Sequence, residues 1–175
     1  MYKNIGYLFL AFLLYALNAG FFRNFEFFGV LPNLLLLLLV YTALEDEDYF
    51  FLGFGFFTGL VLDFATQVFV GSFALGFLFA ALLLRQISQN IISLERNWKF
   101  LPLMLGVAQL VVYAWIFFLN GLAHRFGHAQ VFFEAKYLLN RFGWEFLYNL
   151  ALMYPVWKLA EIPKVLQVKF SGRIK

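Results

Sequence analysis

The chain has 175 residues, 63% hydrophobic and 13% charged, with no cysteine and a formal net charge of +3. Soluble domains carry roughly 45–50% apolar and about 25% charged residues, so a water-soluble core of this size would lack the polar surface it needs, and a mean hydropathy of +0.80 makes the bilayer the solvent. The missing cysteine excludes a disulfide framework and a thiolate site, and basic residues placed at the ends of apolar segments argue against a nucleic-acid face.

A membrane-spanning helix needs roughly 20 mainly apolar residues. Six segments come close, at 5–22, 27–44, 49–66, 71–85, 100–119 and 138–159, which predicts an all-α membrane bundle of about six transmembrane helices in one domain over 1–160, followed by a basic cytoplasmic tail over 161–175. The first segment ends without a small-residue cleavage site and reads as a retained helix. Pro32 and Pro102 sit near the starts of the second and fifth segments, where a missing N–H costs least, and Pro155 predicts a kink or an early end in the sixth. Acidic residues 45–48 separate the second and third segments and suit the positive N-terminal end of the third helix. The third and fourth are joined so closely that they form an antiparallel hairpin. Residues 86–99, with Ile87, Ile91, Ile92 and Leu94 ahead of Trp98, read as an interfacial extension of the fourth helix. Residues 124–136 form the longest connection on the other side.

An even number of spans puts nine of the thirteen Lys and Arg on one side: Lys3, Arg85, Arg96, Lys99, Lys158, Lys164, Lys169, Arg173 and Lys175. Arg23, Arg125, Lys136 and Arg141 occupy the other. The positive-inside rule then places both termini in the cytoplasm.

In the third segment Gly55, Gly59 and Asp63 recur every four residues and share a helix face. Glycines there let a neighbouring backbone approach, and Ser72, Gly76 and Ala80 on the fourth segment repeat the spacing, so the two faces are expected to pack on each other in preference to being reserved for a partner protein. On that reading Gly59 is limited by helix-to-helix distance, alanine is tolerated there and leucine is not. Asp63 lies near the C-terminal end of its helix, where the macrodipole disfavours an acid; Arg23, Arg125 and Arg141 are the candidates to compensate it. A structural carboxylate is preferred over an ion carrier, because no second intramembrane acid shares the segment.

The sixth segment carries Arg141, Glu145 and Asn149 at four-residue spacing, continued by Met153, a polar stripe that can pair internally and face the bundle or a partner in preference to a substrate. Gly106, Gln109 and Tyr113 make a weaker polar line on the fifth segment. His124 and His128 have helical i,i+4 spacing and Glu134 follows, but Gly127 breaks the helix and no convincing third ligand completes a metal site. No phosphate loop, nucleophile elbow, zinc-protease motif or pair of intramembrane aspartates is present, so neither a catalytic residue nor a cofactor is expected.

The run from Pro32-Asn33 into six leucines, then Gly55-Phe-Phe-Thr-Gly59-Leu-Val-Leu-Asp63 and Val70-Gly71-Ser72-Phe-Ala-Leu-Gly76, resembles the bacterial rod shape-determining MreD family. The matching positions are Gly55, Gly59, Asp63, Gly71 and Gly76, and the motif-bearing part covers 31–85. The resemblance implies a non-enzymatic inner-membrane subunit of the elongation machinery, binding the bitopic protein MreC and, through it, the synthase RodA, a class B penicillin-binding protein and MreB, with no catalytic residues to transfer. The family is also similar in fold to the substrate-binding subunits of energy-coupling-factor transporters. That similarity supplies the alternative, a vitamin or small-molecule binder with Asp63, Arg23, Arg141 and Glu145 lining an outward pocket.

Overall fold

A computed structural model describes residues 2–26, 29–45, 49–66, 70–91, 100–126 and 135–171. It contains six α-helices: α1 (Tyr2–Gly20), α2 (Leu34–Glu45), α3 (Phe50–Thr66), α4 (Ser72–Ile91), α5 (Leu101–Arg125) and α6 (Ala135–Ser171), with a short 3-10 turn at Phe22–Phe25 after α1.

The second helix is the centre. It contacts all five others, and these form a ring in the order α1, α3, α4, α5, α6, with its thinnest seam between α1 and α3. Every residue of α2 from Leu34 to Ala43 is buried, whereas Phe9, Phe12, Phe57 and Phe64 on α1 and α3 are each more than 60% exposed. A bundle that is apolar on the outside as well as in its core has lipid, not water, as its surroundings.

The ring corrects the expectation of six comparable spans. Among the described residues two helices are long and apolar enough on their own to cross a membrane, α4 over Ser72–Gln89 and α5 over Leu101–Arg125, while α2 and α3 are apolar but shorter. At 12 residues, α2 is only about 18 Å long, well under a hydrocarbon core of about 30 Å. Enclosure is what permits this, since irregular backbone at membrane depth is tolerated where protein surrounds it. The expected helix over 27–44 begins instead at Leu34. Pro32 lacks an N–H and biases Leu31 away from helical geometry, and Asn33 caps the helix, its Oδ1 accepting from the Leu36 N–H at 3.0 Å as an N-cap side chain does.

The sixth helix is longer than expected. It passes both Pro155 and Pro163 and runs to Ser171, so the segment read as a tail is helical through that residue. Its far end is docked: Pro163 lies against Gly6 of α1, where an added Cβ would meet its ring at 2.8 Å. Lys164 donates to the Glu45 carboxylate at the C-terminus of α2, and its ammonium sits 5.2 Å from the Tyr41 ring centroid. At the start of the fifth helix Pro102 occupies the first turn, where its missing N–H is harmless. The fourth helix ends at Ile91, and most of the expected interfacial extension, residues 92–99, lies outside the described residues, as do Asp46, Glu47 and Asp48.

Candidate functional site

Two polar centres are embedded in the apolar bundle. The first is the α3–α4 hairpin. Asp63 is 1% exposed, and its carboxylate accepts from three backbone N–H groups: Phe73 at 2.7 Å, Gly71 at 2.8 Å and Ala74 at 3.2 Å. The first N–H groups of a helix have no intrahelical partner and carry the positive end of its dipole. Asp63 therefore caps α4 from the end of α3. This corrects the expected pairing with an arginine: Arg23 is exposed on the 3-10 turn and Arg125 is exposed at the end of α5, while Arg141 joins the second centre. Gly71 shapes the turn with φ of +102°, a conformation that side-chain-bearing residues adopt only with strain.

One turn back along α3, a Cβ built on Gly59 would stand 2.5 Å from Ala74 Cα and 2.6 Å from both Ala74 N and Phe73 O. These are backbone atoms, so not even alanine fits, which overturns the expectation that alanine is tolerated there. Gly55 is less tight, its added Cβ meeting Leu39 Cδ1 at 2.9 Å and Phe77 O at 3.5 Å. The surface that receives both glycines is Phe73, Ala74 and Phe77. The expected partner face behaves otherwise: Gly76 turns to α5, against Trp115 Cδ1 at 3.4 Å and Val112 Cα at 3.5 Å, and Ser72 and Ala80 are buried beside it.

The second centre joins α5, α6 and the start of α2. Asn149 Oδ1 accepts from the Asn33 N–H at 2.7 Å, so the backbone that leads into α2 is held by a side chain of α6. Tyr113 Oη donates to Glu145 Oε2 at 2.5 Å. The Asn33 side chain lies close to Glu145, and the Arg141 guanidinium lies close to both Glu145 and Tyr113. Gln109 Nε2 donates to the Phe142 carbonyl at 3.0 Å, and the rings of Tyr113 and Phe142 meet edge to face at 5.5 Å. The stripe Arg141, Glu145, Asn149 thus faces inward and merges with the α5 line of Gln109 and Tyr113. Arg23 is not brought into it. Chemically the cluster ties three helices around a buried carboxyl group.

The model for the rod shape-determining protein MreD matches residues 3–162. The chain belongs to the MreD family. No curated protein and no solved structure matches it. Membership makes this MreD-family chain a non-enzymatic membrane component of the cell-elongation machinery, and the matched segment contains both polar centres.

Asn33 is the site residue that sequence reasoning missed in this family member. The signal was available, since Asn directly before an apolar run is a helix-start mark, but Pro32 was read as lying inside a longer helix. His124 sits in the last turn of α5, while His128 and Glu134 lie outside the described residues.

Proposed function

We propose that this MreD-family chain is the membrane subunit of the elongation complex that binds MreC and, through it, RodA, a class B penicillin-binding protein and MreB, helping to organise peptidoglycan synthesis and cell shape. The observation that carries the reading is the family match over 3–162. In this reading the two polar centres serve assembly: Gly55, Gly59, Asp63, Gly71, Ser72 and Gly76 keep α3, α4 and α5 in close register, and Arg141, Glu145 and Asn149 hold the short central helix. The partner then meets a rigid outer surface.

All six helices lie in the bacterial inner membrane as one domain over 1–160, with both termini cytoplasmic and the basic segment 161–175 on the cytoplasmic side. The nine-to-four division of Lys and Arg supports that orientation. The similarity to the substrate-binding subunits of energy-coupling-factor transporters belongs to the same proposal, and rests on the family resemblance alone.

Affinity purification of the full chain in mild detergent, followed by identification of bound proteins, tests the partner. Recovery of MreC is expected; recovery of an ATPase pair with a bound vitamin would establish the transporter reading instead. Topology is tested separately on intact cells with a membrane-impermeant thiol reagent. Ala129→Cys should label and Ser171→Cys should not, and labelling at Ser171→Cys would remove the model with both termini inside.

A further inference from the structure

Gln109 and Asn149 are both 0% exposed, and each uses one end of its amide. Gln109 Nε2 donates to Phe142 O, and Asn149 Oδ1 accepts from the Asn33 N–H. Gln109 Oε1 and Asn149 Nδ2 find no partner among the described residues. Rotating either amide does not help, because it would turn an oxygen onto the Phe142 carbonyl or an NH2 group onto the Asn33 N–H. The bonds already made fix both orientations. Buried polar groups in proteins are nearly always satisfied, and in an apolar bundle there is no bulk water to do it.

Among partly exposed residues, side-chain atoms of Asn4, Asn18 and Trp115 share this condition. Gln109 and Asn149 are fully enclosed and belong to one cluster, each one helical turn from a member of the Tyr113–Glu145 pair. Their needs are opposite, an acceptor for Asn149 Nδ2 and a donor for Gln109 Oε1. Water can both accept and donate, and is small enough to lie between packed helices.

We propose that the polar centre between α2, α5 and α6 is a binding site for internal water, one molecule accepting from Asn149 Nδ2 and one donating to Gln109 Oε1, with the Glu145 carboxylate and the Tyr113 hydroxyl as their further partners. Internal waters make about three hydrogen bonds each, and the second lone pairs of the Glu145 carboxylate and the Tyr113 hydroxyl are the further groups of this cluster that can share them. The α5–α6 seam is then a hydrated joint inside a lipid-facing bundle, while the leucines of α2 remain dry.

The test is water-edited solid-state NMR on the full chain, labelled with 15N at Asn and Gln side chains and 13C at Leu methyls, in a phosphatidylethanolamine–phosphatidylglycerol bilayer. Gln109→Leu and Asn149→Leu assign the two amide signals by their disappearance. In the wild-type chain both amides should receive polarisation from water several-fold faster than the methyls of Leu36 and Leu38. Build-up no faster than at those methyls would overturn the site, and so would polarisation arriving from lipid acyl protons in place of water.

Discussion

Asp63 and Glu145 are both buried carboxylates, yet one is bound by backbone and the other by side chains. Around Asp63 three N–H groups of the turn and the first turn of α4 converge on one carboxylate, and the neighbouring helices touch through glycine. Around Glu145 the donor is Tyr113, with Asn33 and Arg141 nearby, and the helices meet through aromatic and amide side chains. The backbone solution has fixed geometry and no tolerance for extra atoms. The side-chain solution can rearrange, because rotamers move where main chain cannot. The two regions should therefore differ in how sharply substitution is felt, and that difference can be broken or sharpened by measurement.

The largest effect is expected at Gly59. Its added Cβ collides with main-chain atoms at 2.5 and 2.6 Å, so α3 must move away from α4, and overpacking of this kind costs about 2–3 kcal/mol. Gly59→Ala should lower the melting temperature in detergent clearly, and Gly59→Leu should abolish recovery of a monodisperse protein. Gly55→Ala should cost less than half as much as Gly59→Ala, because the first obstacle is the end of the Leu39 side chain. A Gly59→Ala protein as stable as the wild type would mean that the hairpin is not held by backbone contact.

Next comes Asp63→Asn. The carboxamide keeps one acceptor oxygen and turns an NH2 group toward a backbone N–H, so at least one donor at the start of α4 is left unmet inside the bundle, at about 2 kcal/mol. Thermal unfolding in detergent, followed by tryptophan fluorescence, reads the loss. Asp63→Asn indistinguishable from wild type would show that the cap contributes nothing.

How much of this contrast is legible in the residues alone can be traced position by position. The spacing of Gly55, Gly59 and Asp63 places all three on the α3 face that meets α4, because helical periodicity is local. The partner of Asp63 is not local. A lone acid invites a search for an arginine, whereas the actual donors are main-chain groups with no signature in the sequence. The same limit applies to the partner face on α4: Ser72, Gly76 and Ala80 repeat the right spacing, but spacing does not say which neighbour a face meets, and Gly76 meets α5. The length of α2 is not legible because hydropathy reports an apolar run and not its enclosure; a run that is buried by protein on all sides has no need to match the bilayer. Arg141, Glu145 and Asn149 were legible as one inward stripe, but their junction with Asn33 required the tertiary packing of α6 along α2.

A smaller effect is expected at Glu145. Glu145→Gln keeps an acceptor for the Tyr113 hydroxyl, and the partly exposed Arg141 can turn toward solvent, so the loss should be about 1 kcal/mol. The direct comparison is Asp63→Asn against Glu145→Gln in one detergent by thermal unfolding. Each replaces a buried carboxyl group by the isosteric amide, and the hairpin variant should lose more. A larger loss for Glu145→Gln would invert the contrast, making the side-chain cluster the less forgiving of the two centres.

The smallest effect should fall on Gly76, which sharpens the comparison because its sequence neighbourhood looks like that of Gly59. A Cβ on Gly76 meets Trp115 Cδ1 at 3.4 Å and Val112 at 3.5 Å, which is ordinary van der Waals contact. Alanine is also favoured over glycine in a helix interior by about 0.8–1.0 kcal/mol, and that gain offsets the slight crowding. Gly76→Ala should therefore melt within about 0.5 kcal/mol of the wild type, on either side of it, whereas Gly76→Leu should push Trp115 from its place beside Phe79 and be read in a shifted tryptophan emission. If Gly76→Ala instead failed as Gly59→Ala is expected to fail, α4 would have to face α3 through Gly76, and the assignment of Phe73, Ala74 and Phe77 to that contact would be wrong.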